Sequence, residues 1–318
     1  MDALDFAIFR FMSPGGEARF WGSRRLIDPR ITPREIAERV GVSVNGVRAR
    51  LAALSTAGFL RGSEVWPNPS LFGVRLSTVE IPVTDASEAA VLLDDLALVD
   101  GVTFARDLLD EKDRKLRVSF VTDGTATSGR RMALLRRLAP RGLLREPVGY
   151  WVPPCEAELS PLDWRVLLAL RKAPDDSLSR IAETVGVTLK TGARRFHRLL
   201  DQRACWWTHS ERSEEFPLAL VAAHVGTAAE REEVAGELPR LTESWMPVGA
   251  DGMGVEPGAR ALPVVGLVPV GTPVQLERLV RRIAGLPGVN RVERTFALGS
   301  RGYPGWFDRR LEERTRPR

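Results

Sequence analysis

The chain has 318 residues, of which 44% are hydrophobic and 27% charged, a composition typical of a folded protein with two or more domains. Its formal charge is +5, and nearly all the basicity comes from arginine, because the sequence has four lysines: Lys112, Lys115, Lys172 and Lys190. This charge favours an anionic partner only weakly. The sequence begins without a basic leader and contains no run near the roughly 20 apolar residues of a membrane span, so we expect a cytoplasmic protein with no membrane partner.

Motifs of catalysis and metal binding are missing from the sequence. Cys155 and Cys205 are 50 residues apart without a CxxC motif, which suits a reducing compartment, and His197, His209 and His224 have no metal-ligand spacing. Neither a GxSxG elbow nor a GxxxxGK[ST] phosphate loop occurs. The sequence therefore predicts no enzyme, no metal site and no cofactor.

In chain order, the first predicted elements are three helices in residues 1–73, arranged as a winged helix-turn-helix. Apolar residues spaced i, i+4, i+5, i+8 predict the first helix: Leu4, Ile8, Phe9 and Met12. The second begins at the Thr32 to Glu35 capping box, which has proline at its first position. A turn at Gly41 and a cap at Ser43 follow, as in a helix-turn-helix.

The third helix is the predicted recognition helix. At 100° per residue, an inward stripe of Val47, Leu51 and Leu54 turns Asn45, Ala49 and Ala52 outward and leaves Arg48 on the flank. The candidate DNA-binding residues are Ser43, Asn45, Arg48 and Arg50. From Gly58 to Gly73 an aromatic-bearing stretch is typical of a β-hairpin wing.

An insertion at residues 13–30 separates the first two helices. Basic and aromatic side chains alternate in it, so Arg19, Arg24 and Arg25 are candidates for contact with the DNA backbone. The alternative is a loop whose aromatic residues anchor it to its own core.

Residues 74–152 predict a ferredoxin-like domain. Strands at 79–83, 102–108, 115–121 and 143–151 and helices at 86–96 and 128–138 give the order βαββαβ. A linker at 153–161 follows, rich in proline.

The second half repeats the first. The segment IAERVGVS, residues 36–43, recurs as IAETVGVT, residues 181–188, within a second winged helix-turn-helix at 162–214. Phe196 and Leu199 are predicted to point inward. The candidate DNA-binding residues of this copy are Thr188, Lys190, Arg194, Arg195, His197 and Arg198. The alternative for both helices is an ordinary solvated face.

A second ferredoxin-like domain is predicted at 215–300, with strands at 218–225, 262–270 and 289–298. Its second strand is the weakest prediction. Residues 301–318 are predicted to be a basic C-terminal tail with a short frayed helix from Trp306. The predicted fold class is thus α+β, with two winged helix-turn-helix domains alternating with two ferredoxin-like domains.

A winged helix-turn-helix followed by βαββαβ resembles the Lrp/AsnC, or feast/famine, family of transcriptional regulators, of the archaeal type and in tandem. Four segments carry the resemblance: the two IAExVGV cassettes, PNPSLFG at residues 67–73, and LPGVNRVERTFAL at residues 286–298. It implies a regulator that binds double-stranded DNA and whose ferredoxin-like sensor domains pair and bind a small effector, often an amino acid.

Two departures shape the expectations. Two units in one chain imply an internal pseudo-dimer, able to pair again into a homodimer. The family's effector site implies candidate residues in the second unit, namely Gly249, Asp251, Gly252 and Gly254, whereas residues 109–113 of the first unit lack the glycines. Two alternatives stay open: an enzyme similar to the sirohaem decarboxylases, which share this fold, and a scaffold that has lost DNA binding.

Overall fold

A computed structural model describes residues 3–12, 32–150, 155, 157–211, 218–242, 246–247, 263–270 and 272–316. Two groups of predicted site residues lie outside the described residues: Arg19, Arg24 and Arg25 of the insertion, and Gly249, Asp251, Gly252 and Gly254 of the predicted effector loop.

In its described residues, the first winged helix-turn-helix has three helices and one strand: α1 Ala3–Met12, α2 Pro33–Val40, α3 Val44–Thr56 and β1 Leu60–Pro67. The predicted capping box is present, since the Thr32 hydroxyl accepts from the Glu35 backbone N–H and the Glu35 carboxylate accepts from that of Thr32, at 3.2 and 2.7 Å. Gly41 ends α2 with φ at 72°, a conformation that glycine adopts without steric cost. The helices share a buried core of Ile8, Ile36, Ala37 and Val47.

The first sensor domain has the predicted order: β2 Arg75–Val83, α4 Ala86–Leu96, β3 Val102–Leu109, β4 Arg114–Thr122, α5 Ala126–Leu138 and β5 Arg145–Tyr150. Val79, Ile81 and Val83 of β2 pack with α4 and α5, as alternation predicts. β2 begins at Arg75 rather than at residue 79, because its first residues pair with Thr122 of β4 and with β5.

The second half has the same order of elements. Its winged helix-turn-helix contains α6 Pro161–Lys172, α7 Leu178–Thr184, α8 Leu189–Asp201 and β6 Cys205–Glu211. Its sensor domain contains β7 Leu218–Val225, α9 Ala228–Leu241, β8 Met246–Pro247, β9 Val264–Pro269, α10 Pro273–Ala284 and β10 Val289–Gly302. The strand predicted at 262–270 is β9, whereas β8, for which no range is predicted, has two residues in the described part of the chain.

Among the described residues, one sheet of eight strands joins the sensor domains, in the order β5-β2-β4-β3-β10-β7-β9-β8. Each half of this order places its own strands as fourth, first, third, second. The seam is β10, which pairs with β7 from Val289 to Ala297 and with β3 from Phe296 to Gly302. This second pairing explains why β10 continues beyond the predicted end at residue 298.

The wings differ from the prediction. Instead of forming a hairpin within its own copy, β1 pairs with β6 of the other winged helix, in an antiparallel two-stranded sheet. A return strand cannot follow β1 directly, because Pro67 and Pro69 lack backbone donors and the chain enters a 3-10 turn at Pro69–Phe72. The two winged helices are therefore linked by main-chain hydrogen bonds.

The C-terminal segment also differs from the prediction. A helix is present, α11 Gly305–Thr315, but it is packed rather than frayed, since Trp306, Phe307 and Leu311 are buried. Its aromatic face packs on Trp66 and on the sheet of the first sensor domain, while Leu311 enters the core of the second winged helix. Arg171 of α6 fastens this contact with a 2.8 Å ion pair to Asp308, a 2.7 Å hydrogen bond to the Val65 carbonyl and a stack on Trp66.

Candidate nucleic-acid interface

Two capped helices, α3 and α8, form the candidate interface. The Ser43 hydroxyl accepts from the Gly46 backbone N–H at 3.0 Å, and the Thr188 hydroxyl from that of Thr191 at 3.3 Å. Both hydroxyls therefore satisfy free donors of a first helical turn. Ser43 and Thr188 therefore cap the starts of α3 and α8.

The outer face of α3 follows the predicted rotation. Val47 and Leu54 are buried, and Leu51 packs partly against the same cores. Asn45 and Arg48 are exposed. Arg48 forms no ion pair with any residue that the structure describes, so its guanidinium is available to an outside anion.

The outer face of α8 is more basic. Phe196 and Leu199 are buried, whereas Lys190, Arg194 and His197 are exposed along one side. Lys190 and Arg194 have no ion-pair partner in the described part of the chain. In water such cations attract polyanions, and on a recognition helix they face phosphates and base edges.

Close packing sets the position of α8 against α7. A Cβ on Gly192 would lie 2.7 Å from the Cβ of Ala182, closer than two non-bonded carbon atoms approach each other. Glycine at this position thus allows the two helices of the motif to meet. Gly192 is not among the residues predicted from the sequence, although a glycine inside an amphipathic helix indicates close approach of a neighbour.

Three predicted DNA-binding arginines are held by carboxylates of the leading helices. Arg50 Nη1 lies 2.6 Å from Asp5 Oδ1 of α1, and Arg195 Nη1 lies 3.2 Å from Asp163 Oδ1 of α6. Arg198 reaches the same Asp163 at 3.5 Å and also donates to a backbone carbonyl. These side chains connect the recognition helix to the helix behind it.

Asp163 forms the more buried of these two sets of ion pairs. Its side chain is fully buried, and its carboxylate also accepts from the Ser160 backbone N–H at 2.9 Å, closing the capping box of α6. Burial acts to raise the pKa of Asp163, but the hydrogen bonds from Ser160 and the charges of Arg195 and Arg198 outweigh it and lower the pKa.

The internal sequence repeat indicates that this Asp–Arg ion pair occurs in both copies. Asp5 follows Leu4 as Asp163 follows Leu162, and Arg50 and Arg195 are 145 residues apart, like the two IAExVGV cassettes. The same carboxylate and the same guanidinium thus recur at equivalent places.

Pairing of β1 with β6 relates the two helix-turn-helix units. Ser63 pairs with His209 and Glu64 with Thr208. With the spacing of 145 residues, Thr208 is the counterpart of Ser63 and His209 that of Glu64. Each position pairs with the counterpart of its neighbour, which is the reciprocal pattern of a two-fold contact.

Residues 67–73 anchor this arrangement to the second copy. Asn68 is fully buried, and its side-chain amide N–H donates to the Arg203 carbonyl at 2.9 Å. The side-chain oxygen of Asn68 accepts from the Ser70 backbone N–H at 3.0 Å. The Asn68 backbone N–H donates to the Ala204 carbonyl at 2.8 Å. The segment that leaves the first wing is therefore fixed to the turn after α8.

Ionic groups of the sensor domains are mostly satisfied internally. In the first domain, Asp110 accepts from the backbone N–H groups of Lys112 and Asp113 and pairs with Lys115 at 3.0 Å. Burial opposes the shift, but these contacts lower the pKa of Asp110 to about 2. The loop predicted to lack an effector site thus holds its carboxylate for its own turn.

His224 is the sensor-strand histidine relevant to the enzymatic alternative. Its Nε2 lies 3.1 Å from a carboxylate oxygen of Glu293 and 3.4 Å from Arg291. Within the described residues no group of His, Cys, Asp and Glu could hold a metal ion. None of the helices in the described residues is long and apolar enough to cross a membrane.

Comparison with known proteins identifies the DNA-binding element. A family model described as winged helix-turn-helix DNA-binding matches residues 27–61, a stretch that includes α2, α3 and the start of β1. Curated proteins give no match to the chain.

Solved structures show a similar fold over most of the chain. The sirohaem decarboxylase NirDL in complex with an iron-uroporphyrin III analogue is 10% identical with a TM-score of 0.51, over 90% of this chain and 94% of that one. A second NirDL structure is 9% identical with a TM-score of 0.50, over 98% of both chains. E. coli AsnC is 14% identical, with a TM-score of 0.33, over 45% of this chain and 93% of its own. The chain thus contains a winged helix-turn-helix DNA-binding domain within an α+β fold similar to that of NirDL.

Proposed function

We propose that the chain is a sequence-specific transcriptional regulator of Lrp/AsnC type that binds double-stranded DNA through α3 and α8. The observation that carries the proposal is a pair of capped recognition helices whose outer faces bear cations with no ion pair among the described residues: Arg48 on α3, and Lys190 and Arg194 on α8. Asn45 and His197 lie on the same faces and add hydrogen-bonding groups suited to base edges.

The predicted residues divide into two roles. Asn45, Arg48, Lys190, Arg194 and His197 contact DNA directly. Five others keep the recognition helices in place, because their side chains are engaged within the protein: Ser43, Thr188, Arg50, Arg195 and Arg198.

The two helices act together as an internal pseudo-dimer. The reciprocal pairing of β1 with β6 and the sheet shared by both sensor domains support this arrangement. Since the outer face of α8 is more basic than that of α3, the two half-sites differ and the operator is asymmetric. Two such chains can pair again as a homodimer.

The proposal also includes regulation of DNA binding by a small effector and a cytoplasmic location. Gly249, Asp251, Gly252 and Gly254 supply the effector site, for which an amino acid is the first ligand to test. The regulator acts on DNA in the cytoplasm.

The proposal is tested by DNA affinity at two salt concentrations. A protein that neutralises phosphates loses affinity steeply between about 50 and 200 mM salt, and each lost Lys or Arg phosphate contact lowers the slope by about 1. We expect Lys190→Ala with Arg194→Ala to lower the slope by up to about 2 and the affinity by about tenfold or more.

Arg278→Ala with Arg282→Ala is the matched control, because both arginines are exposed on α10, far along the chain from the winged helices, and the charge change is the same. This control should retain most of the affinity. Equal loss in both double variants would mean that net charge rather than α8 binds DNA. Absence of binding at low salt would contradict the proposal altogether.

The enzymatic alternative has its own assay. Similarity to NirDL at 10% identity shows the fold alone, and His224 is engaged with Glu293 and Arg291. With sirohaem added, we expect an unchanged visible spectrum and no release of carbon dioxide. Release of carbon dioxide with a spectral change would establish the decarboxylase instead.

A further inference from the structure

Leu189 is an exposed apolar residue at the start of the second recognition helix. It is the first residue of α8 and is 53% exposed. The other exposed large hydrophobic side chains of the described residues all lie in the sensor domains: Val91, Leu98, Leu109, Leu134, Leu144 and Val274. Leu189 is therefore the exception among the winged helices.

The first copy treats the equivalent residue differently. Val44, 145 residues earlier, is half-buried and packs against the core around Ile36 and Val47. Leu189 belongs to none of the apolar cores of the described residues. Its position in water forgoes the free energy of burying a leucine, which makes a partner outside the chain favourable.

The neighbours of Leu189 indicate what that partner is. Lys190 follows it directly, and Arg194 lies one turn later, both exposed and without an ion pair among the described residues. The N-terminal residues of a recognition helix reach base edges in the major groove. There the one apolar group is the C5-methyl of thymine, and the Lys partner is guanine O6 and N7.

We infer that Leu189 contacts the C5-methyl group of a thymine in the half-site of α8, beside a guanine that Lys190 reads. This inference rests on the proposed function, because it needs α8 in the major groove. The inference specifies a thymine-containing base pair that the half-site of α8 requires. The first half-site lacks this contact, since Val44 is committed to its core.

Atom-specific changes in the DNA test the contact. The preferred duplex is first selected from random sequence, and each thymine of it is then replaced singly by uracil, which removes the methyl group and nothing else. For the unmodified protein we expect one position to lose about fourfold in affinity, the equivalent of one buried methyl group. Replacement of the neighbouring guanine by 7-deazaguanine should weaken Lys190 binding at the adjacent base pair.

Leu189→Ala should bind the thymine and uracil duplexes equally at that position, because the contacting side chain is gone. Val274→Ala is the matched control, since Val274 is likewise exposed but lies on α10, and it should keep the fourfold preference. Because Leu189 is exposed, Leu189→Ala should keep the Tm of the unmodified protein, which separates lost contact from lost fold.

The outcomes are distinguishable. A flat uracil scan, or a thymine preference that persists in Leu189→Ala, overturns the inference while leaving the regulator intact. Failure of the selection to enrich any duplex overturns the proposed function and the inference with it.

Discussion

Asp163→Asn removes the buried negative charge that holds Arg195 and Arg198 while keeping the size and the hydrogen-bonding oxygen of the side chain. The matched variant is Asp5→Asn, which removes the equivalent charge opposite Arg50 in the first copy. Comparison of the two separates the burial of the ion pair from its geometry, because the same pair of groups occurs in both helix-turn-helix units.

The expected magnitudes follow from exposure. Loss of one partner of a fully buried pair costs about 3 to 5 kcal/mol, and Asp163 is 0% exposed while Arg195 is 21% exposed. Water reaches Arg195, and the asparagine oxygen still accepts from Ser160, so we expect about 2 kcal/mol. Asp5 and Arg50 are 17% and 34% exposed, and for this better-solvated pair we expect about 1 kcal/mol or less.

The free energy of unfolding, measured in urea at pH 7, is the first readout. Its pH dependence is the second. Since the pKa of Asp163 is lowered in the folded state, the stabilisation is present above the ordinary aspartate pKa of about 3.9 and is lost as the pH falls through the folded-state value. The gap between the unmodified protein and Asp163→Asn should therefore narrow below about pH 4.

Affinity for the preferred duplex is the third readout, because a loosened α8 no longer presents Lys190 and Arg194 in a fixed place. An effect of Asp5→Asn equal to or larger than that of Asp163→Asn would mean that burial does not set the strength of these ion pairs. A stability gap that stays constant down to pH 3 would refute the assignment of the lowered pKa to Asp163.

Two substitutions and one labelling experiment test the packing at Gly192, Arg171 and Cys205. Gly192→Ala should lower the free energy of unfolding by about 1 to 3 kcal/mol and weaken DNA binding, because the new Cβ would lie 2.7 Å from the Cβ of Ala182. The control is Gly129→Ala on the open face of α5, for which we expect an unchanged or slightly higher Tm. Arg171→Met removes the ion pair and hydrogen bond that fasten α11, so the Tm should fall, and an unchanged Tm would contradict the clamp. Burial raises the pKa of Cys205 to about 12, so iodoacetamide at pH 8 should label Cys205 only after unfolding, and rapid labelling of the folded chain would contradict its burial.

Local patterns in the sequence predict the local structure well. The capping box at Thr32 and Glu35 starts α2 where predicted, and the inward stripe of Val47 and Leu54 places Asn45 and Arg48 outside. Both predictions depend on contacts between residues within four positions of each other, which a single sequence displays directly.

Distant pairings are what the sequence conceals. The strand after Gly58 reads equally well as half of a hairpin or as a partner for β6, and its true partner lies in the other winged helix. Likewise, Arg195 lies on the side of a basic helix, and its engagement by Asp163 depends on how α6 packs behind α8. From the sequence, Trp306 and Phe307 are predicted to lie in a terminal tail, because the sheet that buries them belongs to the distant first sensor domain.

Selection of bound duplexes from a random library shows whether two different helices read the DNA. We expect enrichment of an asymmetric site with two different parts, of which Lys190→Ala with Arg194→Ala removes the preference for one and leaves the other. A palindromic site, or a library that stays random at low salt, would contradict a chain that reads DNA with two different helices.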